Sequence, residues 1–283
     1  MSITSKSSSS EGPSSEESFS EGPASPAAIL QRLDHQGVVT LTMNAPERFN
    51  ALSEAMLQAL HDALADIADD SSVRCVVLAA EGKAFCAGHD LKQMRANSDK
   101  AYYQALFSRC GEVMQAIVNL PVPVIAKVQG IATAAGCQLV ASCDLAVAAR
   151  SARFAVSGIN VGLFCSTPAV ALSRNVARKR AMEMLLTGEF ISAEQAAEWG
   201  LINRVAEDDA LDEATKELTD SICAKSAVAV RTGKAMFARQ LAMPLDEAYA
   251  FAGETMACNM LADDVGEGID AFMAKRPPQW RHR

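Results

Sequence analysis

Apolar positions change period along the chain, and the period marks the elements. Val38-Val39-Thr40-Leu41-Thr42-Met43 alternates as a strand does, and the unbroken run from Val73 to Leu78 reads as a buried strand. Between them, Met56, Leu57, Leu60, Leu64 and Ile67 recur at helical spacing behind Ser53, whose hydroxyl suits an N-cap. A second amphipathic helix is predicted over 99–119; Pro121 and Pro123 end it, and Val124–Val128 is the next strand. A short helix at about 135–143 then leads to a strand at Leu145–Ala148. Alternation of strand and helix predicts an α/β fold. From about 178 helices dominate, at 178–187, 193–199, 208–225, 228–241 and 245–261, with one short strand at Leu201–Val205.

Three regions follow: a Ser-rich segment 1–27, an α/β core 28–205 and a helical region 206–283, with no long linker between the last two. In the first, Ser-Glu-Gly-Pro occurs at 10–13 and again at 20–23; such a segment buries too little to offset its ordering entropy and is expected to be disordered. Apolar residues among the late helices, including Met236, Phe237, Met256 and Phe272, predict packing against other subunits.

Composition narrows the function classes. With 283 residues, 49% apolar and 21% charged, the chain is globular. A net charge of −8 argues against nucleic acid as partner, and no apolar run is long enough for membrane insertion. The first residues lack a secretory pattern, carry Glu11, Glu16, Glu17 and Glu21, and have no Arg before Arg32, so a cytoplasmic protein is expected. Eight cysteines without a C-x-x-C spacing read as reduced, buried thiols, and the four histidines show no metal-ligand spacing. No G-x-G-x-x-G or G-x-x-x-x-G-K occurs, which argues against a nucleotide-binding α/β protein.

Two loops hold the candidate chemistry. In Phe85-Cys86-Ala87-Gly88-His89-Asp90-Leu91-Lys92 and in Gly130-Ile131-Ala132-Thr133-Ala134-Ala135-Gly136-Cys137-Gln138, small residues join a strand to a helix start. Unpaired N–H groups there can face a ligand, and two converging on one point make an oxyanion hole. On local sequence alone, two ordinary turns explain the pattern equally.

AFCAGHDLKQM and GIATAAGCQLVASCDLAVAA resemble the two oxyanion-loop signatures of the crotonase (enoyl-CoA hydratase/isomerase) superfamily. ERFNAL at 47–52, FAVSGINVGL at 154–163, LLTGEFISAEQAAEWGLINRV at 185–205 and EGIDAFMAKRPPQW at 267–280 resemble further segments of it, in order, over residues 33–280. The segments AAGCQLVASCD and GINVGLFCSTP are most similar to its enoyl-CoA hydratase domain-containing protein 3 branch. The resemblance implies a crotonase spiral of repeated strand-strand-helix units, a C-terminal trimerisation region and assembly as a homotrimer or hexamer. It implies a hydratase-like lyase with an acyl-CoA thioester as substrate and no further cofactor.

By position, the hole is the N–H groups of His89 and Ala135, and the CoA contacts fall on Arg48, Asn50, Ala51, Leu52, Ala87, Gly88, His89, Asp90, Leu91, Lys92, Gly136 and Lys275. The two catalytic glutamates of a family hydratase correspond to Gln138 and Gly158. A glutamine amide exchanges no proton at neutral pH and glycine has no side chain, so the acid–base pair is absent there. The departure leaves open a different acyl-CoA reaction or a non-catalytic binding protein. AGHDL also resembles the first loop of the superfamily's decarboxylases, which place a tyrosine where this chain has Cys165. Glu112 and Tyr102, on the helix after that loop, are further candidates.

Overall fold

The computed structural model describes residues 1–2 and 28–283, so the predicted disordered segment lies almost wholly outside the described residues. The strands are β1 (Leu30–His35), β2 (Val38–Met43), β3 (Cys75–Ala80), β4 (Ala84–Cys86), β5 (Val124–Val128), β6 (Ile131–Thr133), β7 (Leu145–Ala149), β8 (Arg153–Ala155), β9 (Ile191–Ser192) and β10 (Arg204–Ala206). The α-helices are α1 (Glu54–Asp69), α2 (Leu91–Ala96), α3 (Lys100–Asn119), α4 (Ala135–Ser142), α5 (Ser166–Leu172) and α6 (Arg178–Thr187), followed by α7 (Ala193–Glu198), α8 (Leu211–Cys223), α9 (Ala227–Gln240), α10 (Leu245–Asn259) and α11 (Asp263–Met273).

From β3 onward the chain winds as a spiral. One sheet has the order β1-β2-β3-β5-β7-β10, parallel except for the β1–β2 pair; the other is β4-β6-β8-β9, parallel except for β8–β9. Each turn visits the first sheet, then the second, then a helix: β3-β4-α2, β5-β6-α4 and β7-β8-α5. β3 is buried along its length and β5 at all but Lys127, which is why Val76–Leu78 and Val124–Ala126 are unbroken apolar runs.

Local chemistry accounts for the elements that periodicity finds. Ser53 caps α1 by accepting the Met56 N–H, and the five apolar residues on the predicted face are the buried ones. Asp99 caps α3 in the same way through Tyr102. The predicted strand at Leu201–Val205 is shorter: Leu201 and Ile202 fold back to the Ala196 carbonyl and plug the core, and only Arg204–Ala206 joins the sheet. β1 has an almost wholly exposed face as an edge strand, so it lacks the apolar alternation that marks a strand in sequence.

One ion pair, buried at its lysine and partly exposed at its aspartate, ties the helical region to the core. The Lys234 side chain of α9 is only 7% exposed. Its Nζ donates to the carbonyls of Ile117 and Val122, at 3.0 and 2.9 Å, and to Asp144 Oδ2 at 2.6 Å. Asp144 also accepts the Val124 N–H at 2.7 Å. Burial still holds the Asp144 carboxyl above its ordinary pKa, against the opposing pull of Lys234. Removing one partner of such a pair strands the other charge without compensation. Lys234→Ala is therefore expected to destabilise the fold by about 3 kcal/mol. An unchanged urea midpoint would remove the pair from the anchoring role.

Candidate active site

Parallel pairing in the second sheet places the site. β4, β6 and β8 lie side by side, so the loops leaving their carboxyl ends are neighbours: residues 87–90, 134–135 and 156–158. α4 packs hard onto the end of β4. A Cβ on Gly136 would lie 2.0 Å from the Cys86 carbonyl oxygen, so only glycine lets the helix start that close. Gly88 has φ +92, and a Cβ there would stand 3.0 Å from Ala134 Cβ and 3.3 Å from Ala135 N. Ala134, the N-cap of α4, sits at φ 50, ψ −120, a strained conformation for a residue with a Cβ. That kink aims the first turn of α4 at the loop carrying His89. Among the described residues, neither the His89 nor the Ala135 backbone N–H has an acceptor. Two free donors thus belong to residues that line one pocket.

The early loop 45–52 buttresses the first of these loops. Phe49 and Asn50 are left-handed, at φ 52 and 51. Asn50 is fully buried; its Oδ1 accepts the Ala45 N–H, and its Nδ2 donates to the Glu81 and Ala84 carbonyls at 2.8 Å each. The Leu52 N–H donates to the Gly88 carbonyl at 2.8 Å, and the Ala87 N–H to Phe49 at 3.0 Å. Arg48 pairs with Asp90, whose other oxygen caps α2 through the Lys92 and Gln93 N–H groups. Those hydrogen bonds, led by the Gln93 N–H, hold the Asp90 carboxyl below the ordinary carboxylate pKa against its burial. Asn50, Leu52 and Asp90 therefore spend their bonding capacity on tying these loops to one another and to the ends of β3 and β4.

A pocket of about 200 Å³ opens beside the two N–H groups. It brings together Ala87, His89, Leu91, Ala135 and Gly158 of the sequence-predicted residues, and it adds Cys165. Its apolar wall is Met94, Phe107, Val161, Leu163, Phe164 and Pro168. Sequence reasoning missed Met94 and Phe107; both sit on helices whose apolar stripe continues past the core, and that continuation is their only sequence signal. Lys92 is exposed next to Leu91 at the pocket edge, whereas Lys275, exposed after α11 with φ 54, is not among the lining residues.

His89 is set up as a neutral acceptor. Its Nδ1 lies 3.3 Å from the Leu52 carbonyl, an acceptor only, so Nδ1 carries the proton. Nε2 is buried with no partner, and the ring meets Phe107 edge-on at 5.6 Å. Burial lowers its pKa from the ordinary histidine value, only partly opposed by the Leu52 carbonyl. Gln138 is 5% exposed, with Oε1 unpartnered; three residues beyond Ala135, it shares that residue's face of α4. Gly158 is glycine for space and not for backbone angle, since its φ is not left-handed. A Cβ there would lie 2.6 Å from Cys165 Sγ and 2.7 Å from the Leu163 carbonyl oxygen. Glu112 is exposed and bonded to Ser108, and Tyr102 is partly buried; neither lines the pocket. Among the described residues, no Asp or Glu lines it.

Residues 34–283 match the family model described as Enoyl-CoA hydratase/isomerase. The chain is 45% identical over 261 residues to enoyl-CoA hydratase domain-containing protein 3, mitochondrial, of Rattus norvegicus, covering 92% of this chain and 87% of that protein. The crystal structure of the human protein of that name superposes with a TM-score of 0.87 at 44% identity, over 89% of this chain and 100% of the other. A crystal structure of an enoyl-CoA hydratase from Mycobacterium smegmatis does so with a TM-score of 0.88 at 62% identity, over 89% and 98%. The crotonase spiral expected from sequence is thus the fold. The expected cytoplasmic location is not upheld: five relatives at 44–46% identity are named as mitochondrial proteins. That expectation came from the acidic, Arg-free first residues, whose composition is independent of the folded part that these relatives share.

The two strained positions make opposite predictions. Gly88→Ala forces a side chain into a left-handed backbone against Ala134 and should cost about 1–3 kcal/mol. Ala134→Gly relieves strain of similar origin, offset by the greater freedom of the unfolded chain, and should leave stability unchanged or raise it by up to about 1 kcal/mol. Urea denaturation of both variants checks this; a clear loss of stability in Ala134→Gly would refute strain at that residue.

Proposed function

Because the chain belongs to the enoyl-CoA hydratase/isomerase family, we propose that it binds an acyl-CoA with the thioester carbonyl held between the His89 and Ala135 N–H groups. The observation that carries this reading is the pair of N–H groups without acceptors at the mouth of one largely apolar pocket. Both donors point at the oxygen on which charge grows when a thioester becomes an enolate. A preorganised donor of this kind contributes about 3–4 kcal/mol to the transition state. The acyl chain packs against Met94, Phe107, Leu163 and Phe164. The CoA phosphates need positive charge at the rim; exposed Lys92 supplies it, while Arg48, paired with Asp90, offers them its remaining N–H donors without net charge. The thioester is a substrate, and the reading calls for no further cofactor.

Hydration on this reading is slow. Water addition across an enoyl double bond needs a proton donor and an acceptor, and the pocket lining offers no carboxylate for either role. Gln138 holds a water or a carbonyl by hydrogen bonding without exchanging its proton. General acid–base catalysis contributes about 10²–10⁴-fold, so crotonyl-CoA hydration should fall short of a two-glutamate enzyme by at least about 10²-fold. Loss of enoyl thioester absorbance measures it, and calorimetry with butyryl-CoA should show binding that weakens in Lys92→Ala. Hydration at a rate ordinary for the family would overturn the reading of Gln138 and Gly158. Decarboxylation of a malonyl-type thioester that His89→Ala abolishes would assign the site to that reaction. Binding without any turnover would make the chain a non-catalytic acyl-CoA binder.

The same reading includes assembly as a homotrimer or a hexamer. Leu241, Leu245, Tyr249, Met256, Leu261 and Phe272 on and around α9–α11 are 67–86% exposed on the single chain. Apolar surface of that extent on adjoining helices needs a cover. Light scattering is expected to give three or six times the chain mass of 30.0 kDa. A stable monomer at micromolar concentration would sink the claim.

A further inference from the structure

We propose that Cys165 takes up α,β-unsaturated thioesters covalently, its thiol adding to the carbon β to the carbonyl. The inference rests on the acyl-CoA reading above and goes beyond it, since the protein itself becomes the nucleophile. Cys165 lines the pocket that holds His89 and Ala135, and the side chain is nearly buried, at 6% exposure. Its Sγ stands 2.6 Å from where a Cβ of residue 158 would be, so the thiol fills the space that the glycine vacates. The other nucleophiles of the pocket, the hydroxyls of Ser157, Ser166 and Thr167, are less suited. The Ser157 hydroxyl is bound to Thr133 Oγ1 at 2.7 Å, and the Ser166 hydroxyl donates to the Phe164 carbonyl at 3.4 Å. Sulfur is also the softer nucleophile, and a conjugated thioester polarised by two N–H groups is a soft electrophile at its β carbon. An unpartnered base shares the cavity, His89 Nε2.

The step balances within the pocket. The Cys165 proton passes through one water in the pocket to His89 Nε2 while the sulfur pair forms the bond to Cβ. The π pair of the double bond moves to Cα, giving an enolate whose oxygen the His89 and Ala135 N–H groups hold. The proton then returns from His89 to Cα. Nothing leaves, and no oxidant or reductant is needed. The thiol requires this base because burial pushes its pKa up, although the Gly158 N–H pulls the other way. Saturated thioesters have no acceptor carbon and cannot react.

Intact-protein mass spectrometry after incubation with crotonyl-CoA tests the proposal. The expected result is a mass gain of one whole crotonyl-CoA, none with butyryl-CoA, and peptide mapping of the adduct to Cys165. Cys165→Ser should reduce the adduct roughly tenfold or more, and mapping on the wild type decides the site even if that variant folds poorly. A gain equal to the acyl group alone would mean attack at the carbonyl and overturn the proposal. So would an adduct confined to exposed Cys258. If butyryl-CoA binds by calorimetry but crotonyl-CoA leaves no adduct, the inference fails and the acyl-CoA reading survives. If neither binding nor adduct is seen, both fall.

Discussion

The contact between the first turn of α4 and the end of β4 sets the rest of the site. With a Cβ on Gly136 only 2.0 Å from the Cys86 carbonyl oxygen, helix and strand touch backbone to backbone. That contact brings the Ala135 N–H beside the loop carrying the His89 N–H. Strand pairing could not do this alone. Parallel neighbours lie about 4.8 Å apart, and their loops diverge unless something pulls them together. Here the pull comes from two sides: the kink at Ala134 from within, and the 45–52 loop, stitched to Ala87 and Gly88, from without. The strain at Ala134 persists because both flanking segments are fixed by packing.

The electrostatics of the pocket follow from its lining. Among the described lining residues His89 carries the only titratable nitrogen, and burial lowers its pKa from the ordinary histidine value. With the proton on Nδ1, the lining combines the unpaired amide N–H groups of His89 and Ala135 with one imidazole acceptor. Charged groups remain outside: Arg48 neutralises Asp90, and Lys92 faces solvent. Such a pocket favours a neutral carbonyl that gains charge during reaction over a ligand that brings charge in, because a buried ion without a partner is costly.

Much of the fold was legible because burial and period coincide. Ser53 and the five apolar residues behind it predict the start of α1 and its buried face, and Val124–Val128 and 178–187 match their elements from end to end. Legibility failed where one of the two signals was missing. β1 has the geometry of a strand without a buried face. Leu201 and Ile202 are buried without being strand, since the chain doubles back on Ala196. β4, β6 and β8 have three residues each, too few for a period, yet they are the strands that place the site. The site was therefore readable only through the resemblance of its two small-residue loops to a family pattern. Even that could not show that Glu112 faces solvent, that Asn50 spends its amide on backbone groups of Ala45, Glu81 and Ala84, or that Met94 and Phe107 wall the pocket.

The absence of a carboxylate at 158 is a property of a whole segment. A side chain there would meet Cys165 Sγ at 2.6 Å and the Leu163 carbonyl oxygen at 2.7 Å, and a backbone oxygen cannot rotate aside as a side-chain tip can. The turn that brings Leu163 back is itself held by the Leu163 N–H bonding to the Gly158 carbonyl at 3.0 Å and by Gly162 at φ +82. Gly158, Gly162, Leu163 and Cys165 thus form one packing solution in which each residue presupposes the others. Placing a glutamate at 158 requires this turn to open, which would move Leu163 and Phe164 out of the pocket wall. At 138 the contrast is plain, because Gln138 already fills a glutamate-sized site on a helix that need not move. The two positions that the family resemblance singles out are therefore unequal: at 138 a carboxylate could replace the amide on an unchanged helix, whereas at 158 the Leu163 backbone and the Cys165 thiol already occupy the space.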